Sequence, residues 1–139
     1  MKEIMAVIRM NKTNATKKAL IDAGVAGFTA VKVMGRGKRV EDAGIIRERK
    51  EELLAMAADE FLDREEMEEQ VTSFLDGSRL FPRRLFTVLA HDEDVPRIIE
   101  AITGANKTEN QVGDGTIIVM PIADAVRVRT AETGEAAIW

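Results

Sequence analysis

The sequence predicts an α+β fold in which strand–helix–strand occurs twice, with a long helical insertion between the two halves. Short β-rich runs and amphipathic helical runs follow one another in the same order before residue 40 and after residue 78. Glycines close most of these runs, so their boundaries can be read directly. Charge sets the insertion apart. Residues 40–77 carry 13 acids against 4 bases, a net of −9, in a chain whose total is −4, so the remainder sums to +5. An acidic tract inside a mildly basic body is a unit of its own. With it set aside, the halves join as βαββαβ, the ferredoxin-like split arrangement. That architecture lays both helices on one sheet face and leaves the other to be covered, usually by oligomerisation.

Each element has its own signal. Lys2–Arg9 alternates and is rich in β-formers, which predicts the first strand. Asn11 or Asn14 is placed to cap a helix over residues 15–23, which Gly24 ends. Residues 27–34 predict a second strand, broken by Gly35 and Gly37 with Arg36, Lys38 and Arg39 interleaved. Inside the insertion, Ile46, Leu53, Leu54, Ala57 and Phe61 share one helical face. Met67, Val71, Phe74 and Leu75 form a stripe on a second helix, with Asp63 as its N-cap, Glu66 three residues later and Asp76-Gly77 as its stop. Residues 83–90 predict the third strand. Asp94 caps a further helix that tolerates Pro96 in its first turn and that Gly104 ends. Its core face is Val95, Ile98, Ile99 and Ile102, the clearest amphipathic pattern in the chain. A polar loop leads to a last strand over Thr116–Pro121, and residues 123–130 with an Ala-rich tail close the chain.

A chain of 139 residues supports one domain, residues 1–139, with the insertion at 40–78 inside it. Apolar content of 45% is enough for a packed core, built from aliphatic residues because aromatics make up 4%. No cysteine is present, which excludes disulfides, thiolate metal sites and cysteine nucleophiles. The first ten residues are too charged for a secretory segment, and no apolar run reaches membrane-spanning length. The expected location is therefore the cytoplasm. The basic body suits anions such as phosphate. The acidic insertion suits a basic or mixed protein surface rather than nucleic acid.

Three segments could hold an anion. Gly35-Arg36-Gly37-Lys38-Arg39 stands at a strand end, and Gly113-Asp114-Gly115 stands just before one. Glycines let backbone N–H groups turn toward an anion, and flanking cations add charge. Both segments also read as plain turns, and neither is a Walker A or dinucleotide fingerprint. In Arg127-Val128-Arg129-Thr130, read as a strand, Arg127 and Arg129 point to one side as a two-pronged cationic clamp, or else serve as gatekeeping charges on an edge. His91, the single histidine, stands beside Asp92 in what reads as a surface loop. No nucleophile or general base with a partner is evident, so the chain reads as a non-enzyme.

These segments carry a resemblance. MKEIMAVIRMNK, GRGKR, VGDGTIIVMPI and RVRTAETGEAAI stand in the order found in PII signal-transduction proteins, and the chain is similar to that family over residues 1–39 and 79–138. In that family these motifs are the first strand, the T-loop base, the B-loop and the C-loop. The long insertion, SRLFPRRL and the MPIADAVRVR ending look most like the nitrogenase-associated NifI branch, second subtype. The resemblance implies a trimer with ATP or ADP in clefts between subunits. It implies that Gly35, Gly37 and Lys38 line the cleft, that Gly113, Asp114 and Gly115 wrap the phosphates beside Thr116, and that Val7, Thr29 and Met34 lie near the adenine. Arg127 and Arg129 would reach in from the neighbouring subunit. Arg83 matches the lysine that pairs with a 2-oxoglutarate carboxylate, which makes Arg83 and Arg39 the effector-site positions.

Departures from the family pattern matter as much. Arg39 replaces the usual Mg²⁺-ligating Gln, and an arginine has donors and no acceptor. Mg²⁺-dependent 2-oxoglutarate binding by this chain alone is thus not implied, and a sister PII-type subunit would complete the effector site. Thr116 replaces a phosphate-binding Lys, which predicts weaker nucleotide binding. With no Tyr, tyrosine nucleotidylation is excluded. The function implied is inhibition of nitrogenase, with Ile46, Leu53, Phe61, Met67, Val71 and Phe74 docking on the dinitrogenase component. The competing readings are a PII protein acting on an ammonium transporter or metabolic enzyme, a ferredoxin-like phosphohydrolase, and a ligand-free structural trimer.

Overall fold

Alternation in the first strand decides the sheet. In β1 (Lys2–Arg9), Ile4, Ala6 and Ile8 are fully buried while the residues between them are not. Every second side chain of a strand shares a face, so these three face the core. The structure is a computed structural model that describes residues 1–37, 80–109 and 113–138. The readings made on residues 38–79, including the two insertion helices, lie outside the described residues.

β1 runs through a short 3₁₀ turn at Met10–Lys12 into α1 (Thr13–Asp22). β2 (Thr29–Gly35) and β3 (Phe81–Ala90) follow, then α2 (Val95–Asn106) and β4 (Thr116–Pro121). Among the described residues the sheet has four strands in the order β2-β3-β1-β4, each adjacent pair antiparallel. Thus β3 lies between the strands that α1 connects, and β1 lies between the strands that α2 connects. This is the split arrangement expected from the sequence.

The core joins β1 to Phe86, Val88 and Ala90 of β3, Leu20 of α1, and Ile98 and Ile102 of α2. Phe28 tilts against Phe86 at 5.6 Å between ring centroids. The helices are tied by a polar pair. Asn106 donates from Nδ2 to Thr16 Oγ1 at 2.9 Å and to the Ile102 carbonyl at 2.8 Å, and Thr16 in turn donates to the Lys12 carbonyl. On the opposite face, Val31, Leu89 and Ile118 are each more than two-fifths exposed. With β1 residues Met5 and Val7 on the same face, they form an apolar sheet face that no other element among the described residues covers.

Several boundaries move. α1 starts at Thr13, with Lys12 at the N-cap and no side-chain cap, so neither Asn11 nor Asn14 caps it. It ends as expected. Gly24 adopts φ +74°, its N–H bonds Ile21 O, and the next N–H, of Val25, bonds Leu20 O, which is a Schellman closure. Asp94 occupies the N-cap of α2 but makes no capping bond, and its carboxylate pairs with Arg97 instead. Gly104 does not end α2, which runs on to Asn106 because that residue is anchored to α1. The strand read over Arg127–Thr130 does not form. Val126 makes an isolated bridge to Thr133, and residues 128–130 turn. Ala131 at φ +58° completes the reversal.

Candidate functional site

The site is built where β1 ends and β4 begins. Val7 lies opposite Thr116 in register, so the preceding loop crosses directly over β1. Gly115 makes that crossing possible. Its φ is +115°, and a Cβ there would stand 2.1 Å from the Val7 carbonyl oxygen. No other residue fits. Gly113, at φ +100°, also occupies a region that favours glycine. Successive reversals of this kind gather backbone N–H groups into an anion-binding concavity.

Two buried arginines hold the loop down. Arg9 and Arg83 face each other across β1 and β3, about one-twentieth and one-twelfth exposed. Arg83 Nη1 donates to the Gly113 carbonyl at 2.9 Å and Arg9 Nε donates to the same oxygen at 3.1 Å. Arg9 Nη2 pairs with Asp114 Oδ1 at 3.0 Å. Thr108 closes the set, donating from its backbone N to Asp114 Oδ2 (2.8 Å) and from its hydroxyl to Oδ1 (2.7 Å). Burial, and then the positive Arg9 beside it, push the Arg83 guanidinium below its ordinary value. Its planar cation also lies over the Phe81 ring at 5.6 Å from the centroid. Asp114 therefore anchors the loop, and its charge is offset by Arg9.

A cavity of about 160 Å³ opens on the helix side of this loop, lined by Ile102, Asn106, Lys107, Asp114 and Thr116 among others. Asn106 Oδ1 is buried there without a hydrogen-bond partner. The cavity is smaller than the ~300 Å³ or more that ligands of nucleotide size occupy.

The positions picked out in the sequence fall at two ends of the sheet. Gly35 ends β2 opposite Phe81, and Met34 lies opposite Pro82, so both stand at the Arg9–Arg83 end with Val7, Gly37 and the 113–116 loop. Thr29 begins β2 further from that end, opposite Thr87. Arg127 belongs to the Met1 end. Its guanidinium binds the tail carbonyls of Ala136 (3.0 Å) and Ala137 (3.4 Å) and pairs with Glu132 at 2.8 Å. The neighbouring Glu135 pairs with the N-terminal amine at 3.0 Å and with His91 Nδ1 at 2.5 Å. The same amine pairs with Asp92 at 2.8 Å. Arg129 is exposed on the 128–130 turn. Lys38, Arg39, Ile46, Leu53, Phe61, Met67, Val71 and Phe74 lie outside the described residues. Among the described residues no group of three or more His, Asp or Glu is placed to hold a metal.

The sequence reading missed Arg9 and Thr108, the two residues that fix Asp114. Arg9 carried a weak signal, a cation at the strand end where alternation would allow it to face the uncovered side. That it stands opposite Arg83 is found only through strand register.

The family description "Nitrogen regulatory protein P-II" matches residues 1–132. The chain belongs to the P-II family. Relatives of similar length agree across the whole chain. A "Nitrogen fixation nifHD region GlnB-like protein 2" from Methanobacterium ivanovii is 42% identical over 99% of each chain. A "nifHD1 region GlnB-like protein 2" from Methanosarcina barkeri is 36% identical over the same shares. A "Nitrogen regulatory protein P-II" from Rhodobacter capsulatus is 33% identical over 99% of this chain and 100% of its own. This P-II chain is thus of the NifI type expected from its motifs. The family consists of regulatory signal transducers, which generally bind ATP or ADP and 2-oxoglutarate with Mg²⁺ and form homotrimers. The backbone of the glycine loop is of a kind that suits phosphate, and Arg9 and Arg83 hold that loop in place. Among the described residues, the donor set does not by itself fit Mg²⁺. No helix among them is long and apolar enough to cross a membrane.

Proposed function

We propose that this P-II protein is a cytoplasmic, non-catalytic nitrogen regulator that binds ATP or ADP between subunits of a trimer and inhibits nitrogenase. The observation that carries the nucleotide reading is the division of the candidate residues between two ends of one chain. Val7, Met34, Gly35, Gly37 and the Gly113–Thr116 loop stand at one end, and Arg127 is tied down at the other. A ligand that uses both sets needs a second copy. The small cavity beside the loop and the exposed apolar sheet face support the same reading, because each is incomplete among the described residues of one chain. In the trimer, Gly113–Thr116 of one subunit wraps the phosphates while Arg127 and Arg129 of the next reach them. Val7, Thr29 and Met34 approach the adenine, and Lys38 adds charge.

The nitrogenase target rests on the nifHD-region names of the relatives and on the amphipathic sequence of residues 40–78. Ile46, Leu53, Phe61, Met67, Val71 and Phe74 dock on the dinitrogenase component and block its productive contact with the reductase. 2-Oxoglutarate with ATP releases the block, which requires that the effector bind the released conformation more tightly. Arg39 and Arg83 stand at the effector position, and a sister P-II-type subunit supplies what Arg39 cannot.

Calorimetric titration with ATP, with and without Mg²⁺ and 2-oxoglutarate and then with a co-encoded sister subunit, tests both levels. ATP binding that 2-oxoglutarate strengthens only with the sister present is the expected result. Absence of adenine-nucleotide binding in every combination overturns the sensing role.

A further inference from the structure

Arg127 and Arg129 read as equivalent prongs in the sequence, yet the structure makes them different. Arg129 is exposed, and no hydrogen bond or ion pair engages it among the described residues. Arg127 is half-buried, and all three of its nitrogens are engaged by its own tail. Nη1 pairs with Glu132 Oε2 at 2.8 Å, Nη2 donates to Ala136 O at 3.0 Å and Nε to Ala137 O at 3.4 Å. The backbone repeats the closure, with Arg127 N–H donating to Glu132 O at 2.9 Å. Thr130 Oγ1 donates to the same Glu132 oxygen at 2.6 Å. Past these contacts Ile138 is buried, and Glu135 is held by the N-terminal amine and His91. Residues 132–138 form a strap drawn around one guanidinium.

We propose that this strap is an intramolecular competitor for the phosphates that the site binds. The inference rests on the nucleotide reading above and adds a regulatory contact to it. Glu132 offers Arg127 a carboxylate with the charge sign and geometry a phosphate oxygen would offer, and the tail carbonyls occupy the rest of the fork. For Arg127 to grip phosphate, the Glu132 pair has to open and the carbonyls of residues 136 and 137 have to let go. Linkage is reciprocal: whatever factor the strap takes from phosphate affinity, bound phosphate takes from the closure of the strap. Arg129, outside the strap, makes first contact, and Arg127 follows as the tail departs. Nucleotide occupancy is thereby reported at the C-terminal end of the chain, at the end of the sheet opposite the insertion.

The test compares the full-length protein with Glu132→Gln, using ATP, ADP and adenosine as probes. Calorimetry gives affinity, and amide exchange over residues 132–138 gives strap closure. Anisotropy of Trp139, the single tryptophan, gives a second reading of the tail. Saturating ATP is expected to speed exchange over 132–138 and lower the Trp139 anisotropy, whereas adenosine, lacking phosphate, leaves both unchanged. Glu132→Gln is expected to bind ATP about two- to fivefold tighter, as loss of one solvent-exposed ion pair predicts. ATP binding that leaves tail exchange unchanged or slows it overturns the strap while the nucleotide reading stands. So does release by adenosine. Failure of both proteins to bind any adenine nucleotide overturns the nucleotide reading and the strap with it.

Discussion

At Gly115 a single hydrogen in place of a side chain decides whether the loop can cross β1. Ala there would carry the strain of a positive φ, about 1–2 kcal/mol. It would also drive its Cβ into the Val7 carbonyl, an overpacking of about 1–3 kcal/mol or more because backbone must move. At Gly113 the nearest obstacle is the flexible Arg83 Nη2 at 3.3 Å. Urea unfolding is therefore expected to rank Gly115→Ala as clearly less stable than Gly113→Ala, and equal losses would refute the crossing as the limiting contact. The two arginines are also unequal. Arg83→Met leaves the Gly113 carbonyl its bond from Arg9 and relieves like-charge repulsion, so about 1 kcal/mol is expected to be lost. Arg9→Met removes the cation paired with Asp114, whose carboxylate keeps the bonds from Thr108, and a larger loss of about 2 kcal/mol is expected. The same denaturation series checks the order. None of this ranking was legible in the sequence, because the meeting of Arg9 and Arg83 depends on pairing between strands far apart in the chain.

Elements were more legible than their ends. β1 and β4 were read at their observed bounds because alternation and flanking breakers act locally. The start of α1 was missed because a 3₁₀ turn at Met10–Lys12 leads into it, with Thr13 Oγ1 bonding Met10 O at 2.6 Å in place of an Asn cap. Gly104 misled for a tertiary reason, since Asn106 reaches Thr16 on α1 and carries the helix past its natural stop. Residue 104 is left as an exposed helical glycine with nothing within 4 Å of a Cβ. Gly104→Ala is thus expected to stabilise by about 0.5–1 kcal/mol. Calorimetry should register this as a melting point raised by about 2–4 °C. Thr16→Val keeps the shape but leaves the buried Asn106 amide without that partner. A loss of about 1–3 kcal/mol is expected, with unchanged far-ultraviolet dichroism. The Arg127–Thr130 strand failed for a reason that composition hides. Asp124 Oδ1 accepts from Gly134 N–H at 2.8 Å, and Ala131 enters the left-handed region, so the segment folds back on itself.

The two termini are brought together across the whole molecule, and their contact sets a pH window. Hydrogen bonds to the N-terminal amine hold Asp92 below its ordinary value, and Glu135 likewise, with His91 adding to the latter. The bonds to Asp92 and Glu135 raise the amine in return. The contribution of the carboxylates is complete above the usual carboxylate range and is lost as pH falls through their depressed values. That of the amine is complete below its usual value and is lost as pH rises through its raised one. Protection of the amides of residues 132–138, taken as exchange relative to the intrinsic rate at each pH, is expected to be greatest near neutrality and to fall on both sides, and a protection profile flat with pH would remove the contact from the account. The candidate site was legible as motifs, while its division between the two ends of the sheet emerged only from topology. That topology has one further result. Gly35 and Phe81, the last residue of β2 and the first of β3, stand opposite each other in register. Everything encoded between them leaves and rejoins the sheet at one doorstep, as the tip of a hairpin does. Lengthening such a tip adds loop-closure entropy only slowly, about 0.6 kcal/mol per doubling. The stretch is consequently an exchangeable cassette. A descendant or a designer can replace it wholesale, while the sheet, the glycine crossing and the paired arginines carry on unaltered beneath.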